Sequence, residues 1–316
     1  MNVPTRLLVF IAFLTTTSYA QTSLEKTLSV DGLEREFLIR LPKNYTSAKQ
    51  LPVIFALHGG GGNYKNTMSL YNFTDVADTY GYIIVAPNAI NKSWSMKGIS
   101  SRVKGNRQDI DDVHFISVLI DTVVKYYKGD EKRVFCTGIS RGGIFSLYLA
   151  GELSKRITAI APVCASIPTT VANNYTYTHP TPVLLINGTA DPLISYTGGP
   201  GKYQRSNQDE EQYDMMPTEK LVAKISSLNQ CAATPVTEPI EDINKQDGCT
   251  ATRYTYKSDK APVIFIKIEG GGHTWPGGKQ YLPKLLIGSV CKDFKAEEMI
   301  CRFFNEVQSS LPAAVK

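Results

Sequence analysis

Six short runs in this chain are almost wholly apolar: residues 52–57, 82–86, 133–136, 159–163, 183–186 and 263–268. A strand with water on one face alternates apolar and polar side chains, so runs of this kind mark strands covered on both faces, as in a parallel sheet. Helical periodicity fills the gaps between them. Val113, Ile116, Ile120 and Val124 fall on one stripe of 112–128, and a second helical pattern covers 142–153. The run 33–41 is different, because Glu34, Arg35, Glu36 and Arg40 interrupt it, and it reads as a half-exposed antiparallel strand. Strand and helix alternation after such an opening predicts an α/β fold, an open and mostly parallel sheet with helices on both faces.

With 316 residues, 42% of them apolar and 20% charged, the chain has enough material for a full core, which excludes disordered and collagen-like classes. The net charge of +5 is modest and no basic run is interleaved with aromatics, so no nucleic-acid surface is expected. Residues 1–20 stand apart. Arg6 precedes the apolar run 7–14, and Ser18-Tyr19-Ala20 forms a small-x-small site before Gln21. Eight apolar residues at 1.5 Å each fall short of a hydrocarbon layer of about 30 Å. The reading is a cleaved signal peptide and a secreted or periplasmic protein without later membrane contact. Residues 21–316 then form one catalytic domain with an inserted loop region around 197–248, comprising a Gly-rich loop at 197–207 and a helix at 218–228. Export makes disulfides possible for the six cysteines. Cys231 with Cys249 and Cys291 with Cys301 are the expected pairs, while Cys136 and Cys164 read as small buried thiols.

The chemistry concentrates at Gly138-Ile139-Ser140-Arg141-Gly142-Gly143, which follows an apolar strand and opens a helical run. A strand-to-helix turn this tight needs glycine where backbones pass, and it lifts the serine hydroxyl into a cleft. Ser140 is the expected nucleophile, with the Arg141 N–H at the helix start facing a developing oxyanion. A second donor is expected from His58-Gly59-Gly60-Gly61-Gly62, with Gly60 first and Gly61 next; His58 reads as a support for that loop. A serine needs a base, and of His58, His114, His179 and His273 only His273 follows a buried strand and a glycine run. Asp191, in Asn187-Gly-Thr-Ala-Asp191-Pro192, supplies the acid, although Asp-Pro also forms ordinary turns. The order Ser140, Asp191, His273 is that of an α/β-hydrolase. Asp109, Asp111 and Asp112 read as a helix cap and its dipole partners, not as a metal site.

Together these motifs resemble the secreted polyhydroxybutyrate depolymerase-like esterases, related to the feruloyl and acetylxylan esterases of the first carbohydrate-esterase family. The resemblance spans about residues 33–304. It is carried by Leu57-His-Gly-Gly60, Ser93-Trp94, Asp111-Asp-Val-His114, the Ser140 motif, Asn187-Gly-Thr-Ala-Asp191 and Gly270-Gly-Gly-His-Thr-Trp-Pro-Gly277. It implies an α/β-hydrolase fold, no cofactor and no metal, and acyl transfer through a covalent ester on Ser140. Trp94 and Trp275 offer flat apolar faces for an acyl or sugar pocket, with packing in the core as the alternative. Arg141 and His114 replace smaller residues of the family, which implies a cleft of different charge and shape. The expected activity is hydrolysis of feruloyl or acetyl esters on plant cell-wall polysaccharide by a monomer. Polyhydroxybutyrate-type polyester oligomers are the alternative substrate, and a secreted serine peptidase or a noncatalytic binding protein are the alternatives of another class.

Overall fold

The computed structural model describes residues 23–97, 110–200 and 214–310. The expected signal peptide, Asp109 and most of the expected loop at 197–207 lie outside the described residues. Ten strands form one sheet: β1 Ser23–Val30, β2 Leu33–Arg40, β3 Leu51–Leu57, β4 Ile83–Pro87, β5 Gly129–Ile139, β6 Ala159–Val163, β7 Val183–Gly188, β8 Val236–Ile240, β9 Thr250–Tyr256 and β10 Val263–Glu269. Their spatial order is β1-β2-β4-β3-β5-β6-β7-β10-β9-β8. The central block from β4 to β10 is parallel, and β2 on one flank and β9 on the other run antiparallel to it. The apolar runs form the parallel block, as expected from their two-sided burial.

The helices are α1 Tyr64–Leu70, α2 Phe73–Tyr80, α3 Asp112–Tyr127, α4 Arg141–Glu152, α5 Thr169–Ala172, α6 Thr218–Leu228, α7 Lys284–Ile287 and α8 Ala296–Ser310. They cover both faces of the sheet. Val53, Phe55 and Leu57 of β3 point into one core with Ile116 and Ile120 of α3, Phe145 of α4 and Leu221 of α6. Ile54 and Ala56 point the other way, toward Val76 of α2 and Ile300, Phe303, Phe304 and Val307 of α8. The i, i+3, i+4, i+7 spacing on α8 gives that helix one continuous apolar stripe.

Strands β1, β8 and β9 lie beyond what the apolar pattern predicts. They belong to the sheet margins, where burial is one-sided or slight. In β8 the first four residues are exposed and Pro239 interrupts the donors, which suits an edge strand and leaves no apolar signature.

The cysteine pairs differ from expectation. All six are free thiols in the structure. Cys231 packs beside the core containing α3 and donates to the Ala261 carbonyl, 3.6 Å away. Cys249 belongs to the opposite core, so the sheet separates the two. Cys291 faces Cys249 instead of Cys301, which lies buried on α8.

Candidate active site

Because β3, β5, β6, β7 and β10 are neighbours and parallel, their carboxyl ends line one edge of the sheet. Open α/β sheets place their ligands at that edge. The loops there carry, in spatial order, His58 to Gly62, Ser140, Cys164, Asp191 and His273.

Ser140 joins β5 to α4 with φ 56° and ψ −125°, a strained backbone for a residue bearing a Cβ. Its N–H donates to the Val163 carbonyl at 2.9 Å, tying the turn to the end of β6. The flanking glycines are sterically required. A Cβ on Gly138 would stand 2.5 Å from the Leu57 carbonyl oxygen, and one on Gly142 would meet that same oxygen and, at 2.7 Å, that of His58. Tyr71 clasps the turn from below. Its hydroxyl donates to the Leu57 carbonyl and accepts from the Ile139 N–H, both at 3.3 Å.

On the glycine loop, Gly61 donates its N–H to the Lys92 carbonyl (2.8 Å) and Gly62 donates to that of Gly59 (3.0 Å). Gly60 faces the start of α4; a Cβ built on it would lie 3.7 Å from that of Arg141. The hydrogen bonds thus occupy Gly61 and favour Gly60 between the two expected donors. His58 is buried, with Nδ1 donating to the Gly59 carbonyl (2.8 Å) and Nε2 accepting from the Ala89 N–H (3.0 Å). Burial pulls its pKa down to about 4, so the ring is neutral and fixed in one tautomer.

The segment opposite this loop is held from three sides. Trp94 donates Nε1–H to the His58 carbonyl (2.9 Å), and the Arg141 guanidinium donates through Nε and Nη2 to the Trp94 carbonyl (3.2 and 2.7 Å). Asp112 accepts from the Ser95 N–H (2.6 Å) and from buried Arg35 (2.5 Å). Asp111 caps α3, accepting from the His114 N–H, and Asp112 stands in the first turn, where a dipole partner is expected, while also serving as a buried strut. The Arg141 side chain is thereby tied to the backbone of the loop.

On the other side, Asp191 follows β7 and His273 follows β10. Both are buried, and the His273 Nδ1–H donates to Asp191 Oδ2 at 2.7 Å. Asp191 Oδ1 accepts from the Leu193 and Ile194 N–H groups, each at 2.8 Å. The Asp-Pro turn chemistry and the histidine partnership therefore coexist, the turn aiming one oxygen while the other is left for the ring. With Nδ1 protonated, Nε2 carries the lone pair. The His273 N–H donates to the Ile287 carbonyl (2.6 Å), and its own carbonyl accepts from the Tyr281 hydroxyl (2.9 Å).

Cys164 belongs to this site, though the sequence marks it only as a buried thiol. It directly follows β6 with φ 48°, and its Sγ lies with the Asp191 carboxylate and the His273 ring in a group whose ligand atoms are within 4.8 Å of one another. The thiol donates toward the Thr274 carbonyl at 3.3 Å; burial and the Asp191 charge push its pKa up and keep it protonated.

The two tryptophans correct the expectation that they line a substrate pocket. Both are fully buried. Trp94 stacks on Phe145 with ring centroids 4.7 Å apart, and Trp275 on Tyr71 at 4.0 Å while its Nε1–H donates to Glu297 (3.0 Å). They buttress the two loops from within the core. His114 is exposed and pairs with Asp31 (2.9 Å), which raises its pKa, and His179 is exposed beside Thr178. Neither approaches Asp191 or Ser140 through any hydrogen bond among the described residues.

The strand order, with a strained serine turn at its centre and a buried histidine–aspartate pair on the same edge, is that of an α/β-hydrolase. An acetyl xylan esterase from Aspergillus awamori has this fold, with a TM-score of 0.55 and 15% identity over 79% of this chain and 94% of that one. The protein called pOPH shares it too, with a TM-score of 0.55 and 14% identity over 94% and 90%. Among curated sequences, feruloyl esterase C of Emericella nidulans is 25% identical over 252 residues, 77% of this chain and 78% of that protein. Residues 30–187 match the family model described as Esterase, and the chain belongs to that family of carboxylic ester hydrolases.

Proposed function

We propose that this chain is an exported serine esterase that cleaves feruloyl or acetyl esters borne on plant cell-wall polysaccharide. The observation that carries the proposal is the buried 2.7 Å hydrogen bond between His273 and Asp191 on the strand edge that also bears the Ser140 turn. In this reading His273 Nε2 takes the Ser140 proton as Oγ attacks the ester carbonyl, and Asp191 stabilises the imidazolium. The Gly60 and Arg141 N–H groups hold the oxyanion. His273 then protonates the departing alcohol and activates the water that releases the acid. Export by residues 1–20 gives a single-domain, monomeric catalyst access to polysaccharide outside the cell. The names of the Emericella and Aspergillus relatives support the acyl groups chosen.

One observation favours polyester oligomers as the second reading. Tyr281, Leu282, Leu285 and Leu286 are 41%, 45%, 90% and 37% exposed, an apolar ridge that begins at the tyrosine bonded to His273. Initial rates on methyl ferulate, acetylated xylan and hydroxybutyrate oligomers decide between the two. Ser140→Ala is expected to lower kcat by about a thousandfold or more with an unchanged melting temperature, and to abolish labelling by an organophosphonate. Near-normal turnover in that variant would sink the assignment.

A further inference from the structure

We infer that Cys249 and Cys291 join as a disulfide when the chain matures in an oxidising compartment, and that this bond staples together the two segments that hold the His273 loop. The inference rests on the export reading for its oxidant and on the structure for its geometry.

Both cysteines are buried in the same core. One carboxylate already bridges their backbones: Asp247 Oδ1 accepts from the Cys249 N–H (2.8 Å) and Oδ2 from the N–H of Lys292, the residue after Cys291 (2.7 Å). Two amides on one carboxylate draw the two cysteine-bearing segments together at this point. The two sulfur groups face each other closely enough to perturb one another, the Cys249 pKa being pulled down and that of Cys291 pushed up. Cys249 is thus the thiolate that reacts first.

A metal held by Asp247, Cys291 and Asp293 is the rival for this cluster, since their ligand atoms lie within 4.8 Å of one another. The carboxylates are otherwise engaged. Both Asp247 oxygens accept backbone N–H groups, and Asp293 accepts from the Asn244 N–H (3.1 Å) and the Cys291 thiol (3.5 Å). Their partners are those of a structural clasp between 244–249 and 291–293.

The position of the clasp gives the bond its consequence. The Gly248 carbonyl packs against Gly270, at the start of the glycine run before His273. The carbonyls of Ser289, Ile287 and Cys291 accept from the N–H groups of Gly272 (2.9 Å), His273 (2.6 Å) and Gly277 (2.8 Å). Oxidation transfers two electrons from the thiols to the disulfide of an oxidoreductase or of oxidised glutathione. The Cys249 thiolate attacks that disulfide, forming a mixed disulfide and displacing one thiolate; the Cys291 thiolate then attacks the Cys249 sulfur and displaces the second, and the two protons given up by the cysteines go to the two displaced thiolates. The new bond closes a loop of about forty residues around β10 and His273.

The test maps disulfides in the full chain prepared in two ways: exported to a bacterial periplasm, and made reduced in a cytosol, then incubated with oxidised glutathione. Non-reducing digestion after thiol blocking is expected to give a Cys249–Cys291 cross-linked peptide in both, with Cys136, Cys164, Cys231 and Cys301 blocked as thiols. A cross-link in the glutathione sample alone supports the pair and counts against export only. Absence of the cross-link from both samples, a different partner for either cysteine, or a stoichiometric metal in the reduced protein overturns the inference. In the double variant Cys249→Ala/Cys291→Ala, the melting temperature is expected to fall by roughly 5–10 °C and to lose its sensitivity to dithiothreitol. Turnover of 4-nitrophenyl acetate at 25 °C stays within about twofold of the wild type.

Discussion

The two halves of the candidate site are built by different means. The serine half rests on backbone sterics: the β5–α4 turn and the glycine loop fit because Gly138 and Gly142 leave room for the carbonyls at the end of β3. The histidine half rests on side chains and a second layer of loops: Asp191 is aimed by the Leu193 and Ile194 amides, His273 is held by the Ile287 carbonyl and Tyr281, and the Cys164 thiol donates to the carbonyl of the adjacent Thr274. A sterically built half fails abruptly when space is filled. A hydrogen-bonded half fails by degrees, according to which bond is removed.

The largest effect is expected where the histidine half touches the reaction. Asp191→Asn keeps the volume and the Asx turn but presents the ring with an amide in place of a carboxylate. Expected is a loss of about three to four orders of magnitude in kcat, with a melting temperature within a few degrees of the wild type. A loss below tenfold would remove Asp191 from the mechanism proposed.

Next comes the steric half. Gly142→Ala drives a methyl into the Leu57 and His58 carbonyls, and neither backbone has anywhere to move between β3 and α4. A destabilisation of about 3 kcal/mol or more is expected, read from the urea midpoint, together with loss of activity. A variant folded and active like the wild type would show that the turn has slack.

This difference in construction also explains how much the sequence reveals. A steric requirement is written locally, as glycine around Ser140 and between His58 and Asn63, so the serine half is legible nearly residue by residue. Asp191 and His273 are legible too, because each follows a buried strand. Their supports are not. Tyr281 reaches His273 from a loop, Cys164 arrives through a left-handed turn at the end of β6, and nothing in either local pattern announces the destination. Trp94 and Trp275 show the same limit: each stands beside a motif, but what its faces meet is decided by Phe145 and Tyr71, far away in the chain. The cysteines read by proximity in sequence give the wrong partners, since the sheet separates Cys231 from Cys249. At the margins, β8 is too exposed to carry an apolar signal.

A third expectation concerns the support beneath the glycine loop. Burial depresses the His58 pKa from 6.5 to about 4, so between these values the unfolded chain binds a proton that the folded chain does not. Stability is therefore full above pH 6.5 and is lost as pH falls toward 4, by about 3 kcal/mol if this group acts alone. Unfolding free energies measured from pH 7 to 4 are expected to show that slope in the wild type and a shallower one, by up to one proton, in His58→Gln. Equal slopes would mean that the ring is not held neutral.

The smallest effect sharpens the contrast most. Tyr281→Phe removes a single hydroxyl from the His273 carbonyl and leaves the ring, its packing and the Asp191 hydrogen bond in place. One hydrogen bond of this kind contributes about 0.5–1.5 kcal/mol, so a fall in kcat/KM of about two- to tenfold is expected, with little change in melting temperature. The effect should appear in kcat, because the hydroxyl positions the base and touches no substrate atom in the reading proposed. A change confined to KM would place Tyr281 in the substrate cleft, as part of the apolar ridge it begins. It would then weigh for the polyester substrate over the polysaccharide one.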